Sequence, residues 1–294
     1  MKKVIYLNGD WVTEDEAKVS IFDRGFMFGD GVYEVIPVYQ SKLFAVDAHL
    51  ARLRSSLQSV DITLPFASAF FLDLLKETVK RSNGRNGIVY LQISRGVQTP
   101  RNHEYPASIK PTVLTTFSEK ELVAVDEIKS ISVEISKDYR WERGDIKSTS
   151  LLANVMLKNQ ARKRGYDDAI LSREGCLTES TSSNIFLAKG NVVFTPEKSN
   201  LFLHGITRDM LITFITQTGF TVEERIVLEE EIFEADEIWL TSSGRELVPV
   251  SSVGGIPVCS KNQESSVYRQ VFEIYRQKVL KTTDCERVER LSDR

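Results

Sequence analysis

Helical and strand periodicities alternate in both halves of the chain, and this constrains the fold more than any other feature of the sequence. In the first half, Leu50, Leu53, Leu57 and Val60 recur at steps of three and four behind Asp47, predicting an amphipathic helix with Asp47 as its N-cap. Phe71, Leu74, Leu75 and Val79 predict a second helix, ended by Asn83-Gly84. Ile88 to Ile93 is rich in β-branched and aromatic residues and reads as a strand. In the second half Ile131, Val133 and Ile135 alternate as in a half-buried strand, and Leu152, Val155, Met156 and Asn159 share a helix closed by Gly165. Asn184 to Thr195 predicts a hairpin turning at Lys189-Gly190-Asn191. Thr207 is placed to cap a helix carrying Met210, Leu211, Phe214 and Ile215, and Ile238 to Leu240 reads as a short buried strand. Val267, Val271, Ile274 and Val279 predict a terminal helix with a frayed charged tail. The expected fold class is mixed α/β and α+β in two unequal domains. These are residues 1–120, a charged linker at 121–130, and a larger domain at 131–294.

Composition excludes several classes of function. With 294 residues, 41% of them hydrophobic, the chain can bury a sizeable core. Thirty-eight basic against 41 acidic residues give a formal charge of −3, so nothing draws it generally to nucleic acid or to anionic membranes. MKKVIYLNGDWV turns polar by Asn8, too early for a secretory signal, and charge interrupts every long apolar stretch. Cys176, Cys259 and Cys285 are widely spaced and odd in number, as expected of reduced thiols in inert core positions of a cytoplasmic protein.

The self-contained catalytic devices are missing. His49, His103 and His204 lie too far apart for a local metal motif, so no metal is expected. There is no HExxH, CxxC, GxSxG or Walker loop, and the glycines at 25, 29 and 31 do not make a dinucleotide fingerprint. Difficult chemistry here calls for a bound cofactor. Four segments offer pieces of a site for one. Lys147, in Asp145-Ile146-Lys147-Ser148, can form a Schiff base if partly desolvated, although a lone lysine is more often a surface charge. Gly205-Ile206-Thr207-Arg208-Asp209 opens a helix whose free amides suit a phosphate, and Thr241-Ser242-Ser243-Gly244 sets small donors after a strand. Glu179, in Thr178 to Phe186, can face a ring nitrogen, or else belong to a solvated turn.

Taken in order, FDRGFMFGDGVYEV (22–35), HLARL (49–53), DIKS (145–148), LTESTSSNIF (177–186), GITRD (205–209) and LTSSG (240–244) resemble the class IV aminotransferases, which are fold-type IV pyridoxal-phosphate enzymes. The resemblance runs from about Tyr6 to about Val250. It implies a smaller N-terminal α/β domain, a larger C-terminal α/β pseudo-barrel domain, and pyridoxal 5′-phosphate as cofactor. Lys147 resembles the lysine that binds the coenzyme covalently and then carries the proton between Cα and C4′. Glu179 resembles the carboxylate that keeps the pyridine nitrogen protonated. Arg52, Ile206, Thr207, Ser242 and Ser243 resemble the phosphate cup, and Leu203 the apolar residue against one ring face. His204 stands where bacterial D-amino acid enzymes often carry lysine.

Within the family, Ser94 to His103 discriminates among members. Arg101 and His103 are two apart, so an extended backbone aims both one way, and a guanidinium beside an imidazole can grip a carboxylate. Alone, such a pair more often belongs to a surface loop. Here it follows a strand and SRG, where the D-amino acid transaminases carry their carboxylate trap, and Tyr33 resembles the third member. The resemblance then implies ping-pong transamination between a D-amino acid, such as D-alanine or D-glutamate, and a 2-oxo acid such as 2-oxoglutarate. It also implies a homodimer in which Arg101 and His103 come from the neighbouring subunit. A branched-chain L-amino acid transaminase, an aminodeoxychorismate lyase and a catalytically silent relative are the alternatives.

Overall fold

The computed structural model describes residues 4–65, 68–106, 108–258 and 266–292, and the chain divides into two units. The first comprises Met1–Leu122, Ile146–Leu151 and Leu280–Arg294. Its strands are β1 (Val4–Leu7), β2 (Asp10–Thr13), β3 (Gly31–Tyr39), β4 (Lys42–Leu43), β5 (Gly87–Ser94) and β6 (Thr112–Glu119). They form one antiparallel sheet in the order β2-β1-β6-β5-β3-β4. A five-residue helix, α1 (Arg24–Phe28), precedes β3, and α2 (Val46–Ser59) and α3 (Ser68–Arg81) follow it. The stripe Leu50, Leu53 and Leu57 packs with Leu74, Leu75 and Val79 against Val32, Ile36, Val38, Val89 and Leu91 of the sheet. This one-faced burial is why β3 alternates and why both helices are amphipathic. Asp47 is not the cap of α2. It lies in the first turn, where its charge still suits the helix dipole, and Ala45 is the N-cap.

The second unit comprises Val123–Asp145 and Leu152–Val279. Its strands are β7 (Ile131–Lys137), β8 (Asp168–Arg173), β9 (Cys176–Ser180), β10 (Asn184–Lys189), β11 (Val192–Pro196), β12 (Thr221–Arg225), β13 (Glu237–Ser242), β14 (Glu246–Val253) and β15 (Ile256–Pro257). They make a nine-stranded mixed sheet in the order β12-β11-β10-β13-β14-β7-β8-β9, with β15 on β14. The sheet curls: the Leu177 N–H donates to Val227 O at 2.8 Å and Cys176 bridges Leu228, so β9 at one edge meets the chain just beyond β12 at the other. Ile170, Leu177, Ile185, Leu187, Ile238, Leu240 and Val250 fill its interior. On the other face Phe186 and Trp239 stack at 5.7 Å, and Tyr268 of α6 (Val267–Ser292) covers Trp239.

The hairpin at Gly190-Asn191 forms with Leu187 opposite Phe194. Helix α4 (Leu152–Lys163) buries Leu157 and Ala161 on Ala169 and Leu171 of β8, whereas Leu152, Val155 and Met156 are 73%, 53% and 46% exposed. Helix α5 (Ile206–Ile215) is capped by Gly205, not Thr207, which is buried in its first turn. The charged tail does not fray after Val279, because its Lys, Arg, Glu and Leu residues, without Gly or Pro, continue α6 to Ser292. Cys176 is half-buried at the start of β9, not in the core; Cys259 and the side chain of Cys285 lie outside the described residues. Among the described residues no helix is long and apolar enough to cross a membrane.

Candidate active site

In the first unit the site residues are fixed from both faces of β3. Glu34 shares the inward parity of Val32 and Ile36 and is fully buried. A carboxylate there needs a counter-charge and hydrogen-bond donors, and α2 supplies them one turn apart. Arg52 donates to both Glu34 oxygens, from Nε and Nη2, at 2.8 Å each, and His49 Nδ1 lies 2.7 Å away. Burial pushes the Glu34 carboxyl up, but the hydrogen bonds and charge of Arg52, then those of His49, outweigh it and hold it at about 2. Burial pushes His49 below its ordinary value despite Glu34, so a neutral ring donates to a charged carboxylate. Arg52 is thereby oriented by a rigid bidentate pair.

Lys147 lies in no regular element, yet its backbone is pinned on both sides. Its carbonyl accepts from Tyr33 N–H at 3.0 Å, its N–H donates to Ser56 Oγ at 3.3 Å, and Ser148 bridges Val32. The glycines of the FGDG motif permit this approach: Gly29 has φ +68°, and a Cβ there would come within 2.5 Å of Ser150 Oγ. The Lys147 ammonium lies 4.1 Å from the centroid of the Tyr33 ring, which in turn lies 5.6 Å from the Tyr90 ring. Arg101 and His103 come together on a different ring. The Arg101 guanidinium is 4.5 Å from the Phe28 centroid and the His103 ring is 5.5 Å from it. Neither side chain makes a hydrogen bond or ion pair among the described residues.

In the second unit Glu179 is buried near the end of β9. Arg140 donates to it at 2.5 Å, and Arg140 is held by Asp138 through Nε at 2.9 Å and Nη2 at 2.8 Å. Asn184 Nδ2 lies between Glu179 and Leu203, donating to Leu203 O at 2.8 Å and to Glu179 Oε2 at 3.5 Å. Burial pushes Glu179 up, against the lowering by Arg140. Asn184 also lies against Gly205, where a Cβ would overlap its Oδ1. Gly205 is therefore a packing necessity, and among the described residues no side chain caps the α5 amides that begin with Ile206 and Thr207. Opposite Asn184 on β13, Thr241 Oγ1 is buried with no hydrogen-bond partner among the described residues, and the half-buried Ser242 and Ser243 follow it. Uncapped amides, an orphan hydroxyl and two serines make a donor set that fits a phosphate. His204, beside this end, is engaged with Ser199 O at 2.8 Å.

Sequence reasoning missed Glu34, His49, Asp138, Arg140 and Asn184. Only Glu34 left a signal, as a carboxylate at an inward position of an alternating strand.

The family model for amino-transferase class IV matches residues 31–253. A curated D-alanine aminotransferase of Bacillus licheniformis is 41% identical over 86% of this chain and 89% of its own length. One of Listeria monocytogenes is 36% identical over the same shares. Among solved structures, a branched-chain amino acid aminotransferase of Escherichia coli superposes with a TM-score of 0.86 at 22% identity, over 95% of each chain, which shows the fold. A further branched-chain aminotransferase of the same fold was solved with pyridoxamine 5′-phosphate. Sequence match, fold and a preformed anion cradle agree, and the chain belongs to the class IV aminotransferases, pyridoxal-phosphate-dependent transferases of fold type IV.

Proposed function

We propose that the protein moves the amino group of a D-amino acid, D-alanine or D-glutamate in type, to a 2-oxo acid such as 2-oxoglutarate in a ping-pong cycle. The observation that carries this reading is the pair Arg101 and His103, presented together on the Phe28 ring with no carboxylate of the chain's own to satisfy them among the described residues. A substrate carboxylate is the natural partner of an oriented guanidinium of this kind. The resemblance to curated D-alanine aminotransferases supports the same reading.

Within it, Lys147 would hold the coenzyme and would carry the proton to and from the substrate's Cα. Glu179 would keep the ring nitrogen protonated, Leu203 would pack on the ring, and Arg52, Ile206, Thr207, Ser242 and Ser243 would hold the phosphate. Pyridoxal phosphate supplies an electron-accepting ring for the electrons of the Cα–H bond. Tyr33, Arg101 and His103 grip the α-carboxylate, and the place of that grip decides which enantiomer turns its Cα–H toward Lys147. A cytoplasmic homodimer, with Arg101 and His103 reaching the neighbour's site, completes the proposal. The exposed Leu152, Val155 and Met156 on α4 support such an association.

Purified protein with D-alanine and 2-oxoglutarate is expected to release pyruvate, while L-leucine and L-valine give no product. Borohydride reduction is expected to fix the coenzyme on the peptide that contains Lys147. Turnover of L-leucine without D-alanine turnover would favour the branched-chain alternative, and a label on another lysine would remove the role of Lys147.

A further inference from the structure

We propose that Arg24 is a positioning residue for the carboxylate grip, fixing the 98–104 loop so that Arg101 and His103 are presented together on Phe28. The proposal rests on the reading of Arg101 and His103 as substrate-binding groups. Arg24 opens α1 and is only 4% exposed, so its guanidinium has to be satisfied by the protein. Its Nε donates to Asp30 at 2.7 Å. The other nitrogens reach the loop: Nη1 to Gln98 Oε1 and to Asn102 O at 2.6 Å each, and Nη2 to His103 O at 3.0 Å. The two carbonyls belong to the residues that directly follow Arg101.

The loop has no helix or strand to set its course from residue 99 to residue 106. Its geometry comes from this buried fork, from the cluster behind it, and from two bonds within the loop, Gln98 Nε2 to Glu104 O at 3.0 Å and Glu104 N–H to Asn102 Oδ1 at 3.3 Å. Asp30 is shared with Arg95, at 2.8 and 3.0 Å, and Arg95 donates to Val60 O and Asp61 O and lies 3.7 Å from the Tyr105 ring centroid. Both ends of the loop are thereby tied to one ion cluster. Arg24 also lies 4.9 Å from the Phe28 centroid, so it packs on the same ring that carries Arg101 and His103. Only a planar guanidinium with five donors can serve Asp30 and the four loop acceptors, Gln98 Oε1 and the carbonyls of Asn102, His103 and Glu104, together; a lysine can keep the ion pair but not the spread. Arg101 has no hydrogen bond of its own among the described residues, so its position follows from the backbone that Arg24 holds.

The test uses the holoenzyme, with Arg24→Lys and the pair Arg101→Ala/His103→Ala made separately and together. Single-turnover reactions with D-alanine, followed by the visible absorbance of the coenzyme, separate substrate affinity from the saturating rate. Arg24→Lys is expected to weaken D-alanine binding by up to about a hundredfold, the cost of a misplaced binding group, with little change in the saturating rate or the coenzyme spectrum. Amides 101–104 should exchange hydrogen faster, and those of β5 and β6 should not. The combined variant is expected to bind no worse than the alanine pair, because Arg24 acts through those two side chains.

Unchanged affinity in Arg24→Lys overturns the proposal. So does a combined variant in which the two losses multiply. Normal D-alanine binding by the alanine pair overturns the substrate-binding reading itself. Should Arg24→Lys fail to fold, Phe28→Leu asks the same question through the shared ring. A loss that disappears in the alanine-pair background supports the proposal, and one that adds to it refutes it.

Discussion

Replacing Glu34 by Gln removes a buried charge while keeping the side chain's shape, and the structure sets the size of the effect. Arg52 makes two 2.8 Å bonds to this carboxylate and His49 a contact of 2.7 Å. Together they hold its pKa down from 4.5 to about 2. That depression corresponds to about 3 kcal/mol in favour of the folded, ionised state. A depressed carboxyl stabilises fully above its unfolded value of 4.5, and the contribution is lost as pH falls through about 2. Glu34→Gln should therefore destabilise the protein by at least about 3 kcal/mol at pH 7, and the gap to wild type should narrow below pH 4.5. The loss can reach about 5 kcal/mol, since the amide leaves Arg52 buried without its counter-charge. Urea unfolding of both proteins at pH 7 and at pH 4 measures this, and titration of the apo forms with pyridoxal phosphate reads the orientation of Arg52. A loss below about 1 kcal/mol at pH 7 would refute the claim that this pair anchors α2 on β3. A gap that stays constant below pH 4.5 would refute the assigned ionisation.

Two further substitutions probe the phosphate end of the second unit. Gly205→Ala places a methyl onto Asn184 Oδ1, so the start of α5 must move. Coenzyme affinity should fall, together with roughly 1–3 kcal/mol of stability, in apo titration and thermal unfolding; an unaffected variant would show that the contact yields freely. Thr241→Val removes a buried hydroxyl that has no hydrogen-bond partner among the described residues. The apo protein should be as stable as wild type or more so, while affinity for pyridoxal phosphate falls by up to about tenfold and affinity for phosphate-free pyridoxal does not change. Equal losses for both ligands would place Thr241 away from the phosphate.

Much of the fold is legible in the sequence because burial on one face writes itself into periodicity. The stripe on α2, the strand at Ile88 to Ile93 and the hairpin at Gly190-Asn191 all follow from that rule. Periodicity names a helix without saying which side is covered. Along α4 the conspicuous stripe Leu152, Val155 and Met156 faces outward, and the modest Leu157 and Ala161 make the packing. Caps fail for a related reason: a threonine two residues late has the right chemistry, but Gly205 sits where Asn184 leaves no room for a side chain.

The candidate site divides along the same line. Motifs give the residues proposed to offer an atom to coenzyme or substrate, since spacing and residue type carry that information. The residues that orient them are distant in sequence and joined only by the fold. Glu34 meets Arg52 across 18 positions, Arg140 meets Glu179 across 39, and Arg24 meets the 98–104 loop across more than 70. Each of these supports is a buried ion, and a buried ion is stable only when its partners are already in place. The supports therefore form with the fold itself, before any ligand arrives. That is the condition under which a guanidinium such as Arg52 or Arg101 can bind an anion without first paying to be ordered.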